Sequence, residues 1–205
     1  MYIQIIISIV IGYLLGSIPF ALVVGKLFFK TDIRNHGSGN LGGGNAGRVL
    51  GKKAGLTVMT LDILKVAFAI FVIKQLFPEY KEEWMIGAGL AAAIGHCFPI
   101  FARFKGGKAV ATMYGFLFGM MLFGGYSPWI FFLPLLVFLM VLYVTKIIAL
   151  SSICSALLVT VYIWFTTNSW LLVAALVVFD VLIIWRHRTN IIRMVNGEEN
   201  KITWM

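Results

Sequence analysis

Charge is scarce in this chain, and acidic charge scarcest of all: 8 Asp and Glu stand against 17 Lys and Arg in 205 residues, and only 12% of positions are charged. A soluble domain carries about twice that fraction, so a water-exposed globule is excluded. Cysteine is nearly absent. Cys97 and Cys154 lie in or beside apolar segments, where cysteine behaves as a small buried hydrophobe, and no Cys/His cluster has the spacing of metal ligands. Several catalytic signatures are missing as well. The glycine-rich stretch after His36 lacks the Gly-Lys-Ser/Thr ending of a Walker loop. No Gly-x-Ser-x-Gly elbow is present, which argues against a serine acyl-enzyme. His36 and His96 are followed five residues later by Leu41 and Phe101, so the His-to-Asp pair of soluble-style acyltransferases is lacking. Paired aspartates for metals and a Lys…Arg-Pro phosphatase signature are also lacking, which leaves phosphotransfer and phosphate hydrolysis without machinery.

What is present is apolar sequence, 60% of the chain. Seven runs are long enough to cross, or nearly cross, a hydrocarbon core about 30 Å thick: Ile3–Val24, Leu56–Leu76, Trp84–Phe101, Ala109–Tyr126, Pro128–Val144, Ile147–Phe165 and Ser169–Trp185. The fourth is short and contains glycine, and the fifth and seventh are near the lower limit. The first has no basic n-region, exceeds a signal-peptide core in length and shows no persuasive cleavage site before Lys26, so it reads as a retained helix. Pro19 and Pro134 fall within runs and are expected to kink them, which neighbouring helices tolerate in a membrane.

Charge placement tests this parsing independently. Lys30, Arg34, Arg48, Lys52 and Lys53 fall in the first connection, Arg103, Lys105 and Lys108 in the third, Lys146 in the fifth, and Arg186, Arg188, Arg193 and Lys201 in the tail. The second connection has only Lys74 and Lys81, and the fourth and sixth have no charge. Lys26 and Lys65 are counted with the spans. Basic residues thus gather on one side, as positive-inside topology requires. Residues 1–205 read as a single all-α polytopic membrane domain of about seven transmembrane helices, N-terminus outside and C-terminus cytoplasmic. The net charge of +9 then needs no nucleic acid to explain it.

Three polar stretches are too unusual for connectors, and all fall on the cytoplasmic side. The first runs from His36 through Ser38, Gly39, Asn40, Gly43, Gly44, Asn45 and Arg48 to Lys53, with seven glycines between Gly37 and Gly51. Successive backbone N–H groups in such a stretch make an anion nest, and Arg48 adds a fork suited to phosphate. The second runs from Gly95-His96 through Pro99 to Phe104-Lys105-Gly106-Gly107-Lys108. Gly-Gly-Lys before a helix would aim amides and an ammonium at one anion. The third is Trp185 to Asn190, continuing to Arg193 and Gly197-Glu198-Glu199. On a helix extending past the membrane, His187 and Asn190 at i and i+3 share a face. Charges within spans are functional candidates by default. Asp62 and Lys65, at i and i+3, suit a mutual ion pair, while Asp180 lies on the His187 face but about 10 Å away along the axis.

These motifs together resemble the bacterial acyl-phosphate:glycerol-3-phosphate acyltransferases (PlsY family). The similarity runs from Gly12 to about Glu199 and includes Ser151 and Ser152. It implies transfer of a fatty acyl group from acyl phosphate to the 1-position of sn-glycerol 3-phosphate, giving lysophosphatidic acid. Implied as catalytic are His187, Asn190 and Ser38. Implied as substrate and phosphate contacts are Gly39, Asn40, Gly43, Gly44, Asn45, Arg48, Gly106, Gly107 and Lys108. No metal or cofactor is expected. The expected partners are the two substrates and the lipid bilayer, with a single chain as the working unit. Two positions depart from the family pattern: Gly43-Gly44 stands where Ala-Thr is usual, and Ala109 where glycine is usual. The rival class is a transporter or channel for a phosphorylated anion, which would place its functional groups at the midplane with repeat symmetry; here they collect at one membrane edge.

Overall fold

The computed structural model describes residues 2–79 and 81–202, and among these every regular element is a helix. Long apolar sequence dictates that outcome, because in lipid the backbone must satisfy its own hydrogen bonds. The chain divides into two compact units, Met1–Gly125 and Tyr126–Met205.

The first unit holds α1 (Tyr2–Gly16), α2 (Phe20–Phe29), α3 (Gly43–Leu50), α4 (Lys52–Leu76), α5 (Glu82–Cys97) and α6 (Val110–Phe123). Helices α1 and α2 break at Ser17–Pro19, as the proline predicts, yet together form one apolar run, Tyr2–Phe29. The Ile18 carbonyl freed at the break accepts a hydrogen bond from Lys65 Nζ at 2.9 Å. Helix α1 lies hard against α5: a Cβ at Gly12 or Gly16 would collide with the Ala88 or Ala92 backbone, the small-residue contact typical of membrane helices. The Tyr13 hydroxyl adds a bond to the Phe98 carbonyl at 2.9 Å. Phe116, Met113, Leu117 and Met120 of α6 are buried, as are Ile70 and Ile73 of α4 and Met85 of α5.

The second unit holds α7 (Trp129–Thr145), α8 (Ile148–Thr166), α9 (Trp170–Arg186) and α10 (Arg188–Val195). Helix α7 runs unbroken across Pro134. Leu172, Leu176, Phe179 and Ile183 of α9 are buried, with Ala156, Val159 and Ile163 of α8. Thr160 Oγ1 donates to Asp180 Oδ2 at 2.7 Å between these helices, which supplies Asp180 with a partner that is not His187.

All seven expected runs lie on helices. Among the described residues, four helical stretches are long and apolar enough to cross a membrane, or five if α9 and α10, bent by 60°, count as one span. The 14-residue α6 is only about 21 Å long at a rise of 1.5 Å per residue. Large apolar side chains stay exposed on the outer faces, among them Leu27, Phe28, Met140, Val144 and Val181. They suit contact with lipid.

Candidate active site

The glycine-rich stretch is not a loop throughout. From Gly43 onward it is helix α3, a difference from the sequence expectation with a packing cause: Gly43 and Gly47 of α3 meet Gly55 of α4 backbone to backbone, which offsets the poor helix propensity of glycine. Ahead of α3, Asp32 caps a 3-10 turn, Ile33–Asn35, and accepts from the Arg34 backbone and from Arg34 Nε at 2.9 Å. The Arg34 guanidinium beside Asp32 holds its carboxyl well below the usual carboxylate range. The chain then turns through Gly37 and Gly39 at φ 59° and 68°.

Asn45 fixes this turn. Its side chain is buried; Oδ1 accepts from the Ser38 N–H at 2.9 Å, and Nδ2 donates to the carbonyls of His36 at 3.1 Å and Ile33 at 3.4 Å. Both side-chain polar atoms of Asn45 thus clamp the turn. The clamp leaves Ser38 and Arg48 exposed together, with Arg48 Nη2 donating to Ser38 Oγ at 3.4 Å. Gly44, one turn before Arg48, is exposed, and a Cβ there meets nothing within 4 Å. Asn40 is half-buried beside Gly42, and Gly39 abuts the Arg34 carbonyl. Gly43 acts through packing, since a Cβ there would press on Gly55 O at 2.8 Å and Met59 at 3.0 Å.

The second polar stretch is anchored on the same core as the first. Ala102, in the 3-10 turn Ile100–Ala102, is buried in one cluster with Ile33 of the turn before the glycine-rich stretch, Leu41 and Ala46 from that stretch, and Ala54 and Val58 of α4. Gly106 and Gly107 are buried. The Gly107 amide donates to the His96 carbonyl at 3.0 Å, and a Cβ on Gly107 would strike the His96 imidazole. Lys108 follows, half-buried, and Ala109 stands just before α6 at φ 63°. That left-handed value gives a physical reason for glycine at this position.

Sequence reasoning took Asp62 and Lys65 for a simple pair and missed their third member. Lys65 Nζ lies 2.7 Å from Asp62 Oδ1 and 3.2 Å from His96 Nδ1, and all three residues are buried. The signal available was His96 in an otherwise apolar helix, but nothing local joins it to residues some thirty positions earlier.

In the second unit the straight helix expected past the membrane gives way to a 60° elbow at His187. His187 is buried, and Nδ1 sits 2.8 Å from the Ile183 carbonyl. A carbonyl only accepts, so Nδ1 carries a hydrogen, which in the neutral form of the ring leaves Nε2 as the acceptor. Asn190 is also buried, and its Nδ2 donates to Glu199 Oε1 at 2.7 Å. Glu199 Oε2 accepts from Arg193 Nε at 2.8 Å. Glu199, expected well beyond the membrane helix, therefore folds back onto α10. Ser151 and Ser152 bond to carbonyls of their own helix, Ile147 and Ile148. No group of three or more metal-ligating side chains exists among the described residues.

The glycerol-3-phosphate acyltransferase family model matches residues 6–197. Similar proteins named glycerol-3-phosphate acyltransferase include those of Geobacillus kaustophilus, 48% identical over 95% of this chain and 94% of that one, and Bacillus subtilis, 44% identical over 96% and 97%. The protein of Listeria welshimeri is 43% identical over the full length of both. Among solved structures, PlsY (YgiH), an integral membrane glycerol 3-phosphate acyltransferase, is similar in its glycerol 3-phosphate form at a TM-score of 0.87 and 34% identity, covering 97% of this chain and 96% of that one. Its lysophosphatidic acid form matches at 0.85 and 33%, covering 97% and 95%.

Proposed function

We propose that this chain, which belongs to the glycerol-3-phosphate acyltransferase family, moves a fatty acyl group from acyl phosphate to the 1-position of sn-glycerol 3-phosphate, giving lysophosphatidic acid. The observation that carries the reading is the exposed Ser38–Arg48 pair, built on a buried Asn45 clamp, in a chain related throughout its length to acyltransferases. The two forms of the solved relative, with glycerol 3-phosphate and with lysophosphatidic acid, match the proposed acceptor and product. A transporter of a phosphorylated anion finds no support among these relatives.

Both proposed substrates carry phosphate, up to about four negative charges together at neutral pH. Arg48 and Lys108 are proposed to bind phosphate directly, with Lys52, Lys53 and Lys105 adding to the field. Ser38, Gly39, Asn40 and Gly44 would complete the contacts from the glycine-rich turn. The donor is a mixed anhydride, so its carbonyl needs little further activation, and the work left is positioning and charge stabilisation. The 1-hydroxyl oxygen bonds to the acyl carbon, the acyl carbon–oxygen bond to phosphate breaks, and the departing phosphate takes the hydroxyl proton, directly or through His187. The neutral tautomer set by Ile183 suits His187 to that relay, and Asn190 to orienting a hydroxyl.

Seven membrane helices across residues 1–205, with the N-terminus outside and the three polar stretches at the cytoplasmic edge of the cell membrane, complete the proposal. Acyl chains would then enter laterally between helices. Purified protein supplied with acyl phosphate and sn-glycerol 3-phosphate is expected to form lysophosphatidic acid. No product from folded protein would remove the proposal.

A further inference from the structure

The chemistry proposed above uses Lys108 but leaves the buried cluster behind its turn without a task. Lys65 there has three N–H donors and three acceptors: Asp62 Oδ1 at 2.7 Å, the Ile18 carbonyl at 2.9 Å and His96 Nδ1 at 3.2 Å. An ammonium only donates, so His96 Nδ1 accepts and the hydrogen of the neutral ring is on Nε2. Asp62 Oδ1 lies 3.6 Å from the same Nδ1, so Lys65 and Asp62 together hold the orientation of the ring. Buried ion pairs contribute little net stability, because desolvation offsets their attraction, so the cluster is poorly explained as a staple alone.

Its geometry leads instead to the Gly106–Gly107 turn. The His96 carbonyl accepts the Gly107 N–H at 3.0 Å, and Cβ atoms on Gly106 and Gly107 would strike the His96 carbonyl and ring respectively. The surrounding segment is strained: Arg103, Phe104 and Ala109 have φ of 55°, 58° and 63°. Side chains avoid that region, and such conformations persist where the surroundings over-determine them.

We infer that His96, locked by Lys65 and Asp62, is a positioning residue that sets the Gly106–Gly107 turn and thereby fixes Lys108 for the substrate phosphate. The inference rests on the reading of Lys108 as a phosphate ligand.

A mutant cycle on the purified protein tests it, with kcat, KM for glycerol 3-phosphate and thermal unfolding measured for each variant. Since misplacing a ligand by about 1 Å can cost about a hundredfold, His96→Ala is expected to raise KM by about tenfold or more, with a smaller fall in kcat. His96→Asn, which keeps a polar atom where Nδ1 stands, is expected to recover part of the loss. In a Lys108→Ala background, His96→Ala should add little, because residues acting as one unit are non-additive. Gly107→Ala should raise KM alone yet add nothing to His96→Ala, which removes the ring it strikes. Full multiplication of the His96 and Lys108 effects would overturn the inference, as would an unchanged KM with a lowered unfolding midpoint. If His96→Ala does not fold, His96→Asn and Gly107→Ala complete the same cycle against Lys108→Ala. A wild-type protein inactive with acyl phosphate would remove the function and this inference together, whereas active wild type with a multiplicative cycle removes the inference alone.

Discussion

Arg48 and Lys108 owe their proposed weight to position, since the chain has fifteen other cations. Loss of one preorganised charge that meets the reacting phosphates costs about a hundredfold or more in turnover, and Arg48→Ala and Lys108→Ala are each expected to do so in a product-formation assay. Lys81→Ala, on the opposite side of the parsing, is expected to stay near wild type; equal losses for all three would deny the cluster any special role. Ala109 carries a different expectation. Its left-handed backbone costs about 1–2 kcal/mol, and glycine gives back about 0.4–1 kcal/mol in unfolded-state entropy. Ala109 is fully buried, and losing its methyl costs about 0.8 kcal/mol, so Ala109→Gly should stay within about 1 kcal/mol of wild type in thermal unfolding, and a destabilisation of about 3 kcal/mol or more would contradict the left-handed backbone. Asp32 sets a pH limit. Its carboxyl is held low by Arg34, so the pair's small contribution is present above the unfolded carboxylate value, about 3.9, and is lost only as pH falls through the lower folded value. Asp32→Asn is thus expected to leave the pH dependence of stability unchanged between about pH 5 and pH 8.

Among the elements, α10 is tied to the tail that follows it. Glu199 accepts from both Asn190 and Arg193, and removing one partner of a buried charged hydrogen bond costs about 1.5–3 kcal/mol. Glu199→Ala is expected to lower the unfolding midpoint and activity together, with Glu199→Gln milder because the Asn190 contact can be kept; retention of both by Glu199→Ala would refute the clamp. The elbow at His187 was not legible beforehand, because no proline or glycine marks the 60° bend between α9 and α10. Continuous apolar runs announce their helices directly, and all seven expected runs lie on helices. The motif residues were also legible, because glycine, asparagine and arginine do not mix that way in connectors. Helix α3 was hidden since Gly43 and Gly47 oppose helix locally and only Gly55 of α4 compensates. Glu199 and His96 acquire their roles through partners that no local pattern names, as does Asn45, whose hydrogen bonds make it a clamp.

For the whole molecule, charge asymmetry is the evidence for orientation, and it can be tested in intact cells. Introduced cysteines should avoid Gly106, where any side chain meets the His96 carbonyl; Gly44 and Lys105 are exposed and suitable. Cysteines at these two positions are expected to be shielded from an impermeant thiol reagent, and one at Thr167 to react. Labelling of all three from outside would invert or scramble the proposed topology. The central proposal concerns the donor: an acyl phosphate would bring its own leaving group and proton acceptor, so the proposed reaction would need neither a His–Asp base nor a metal. Catalytic magnesium usually takes one or two carboxylates, and Asp32 and Glu199 are engaged by Arg34, Asn190 and Arg193. The most direct measurement is lysophosphatidic acid formation by purified protein offered acyl phosphate or acyl-CoA at equal concentration, each with and without EDTA. The account predicts product from acyl phosphate alone, at a rate EDTA does not change. Efficient use of acyl-CoA, or abolition by EDTA with recovery on adding magnesium, would contradict it.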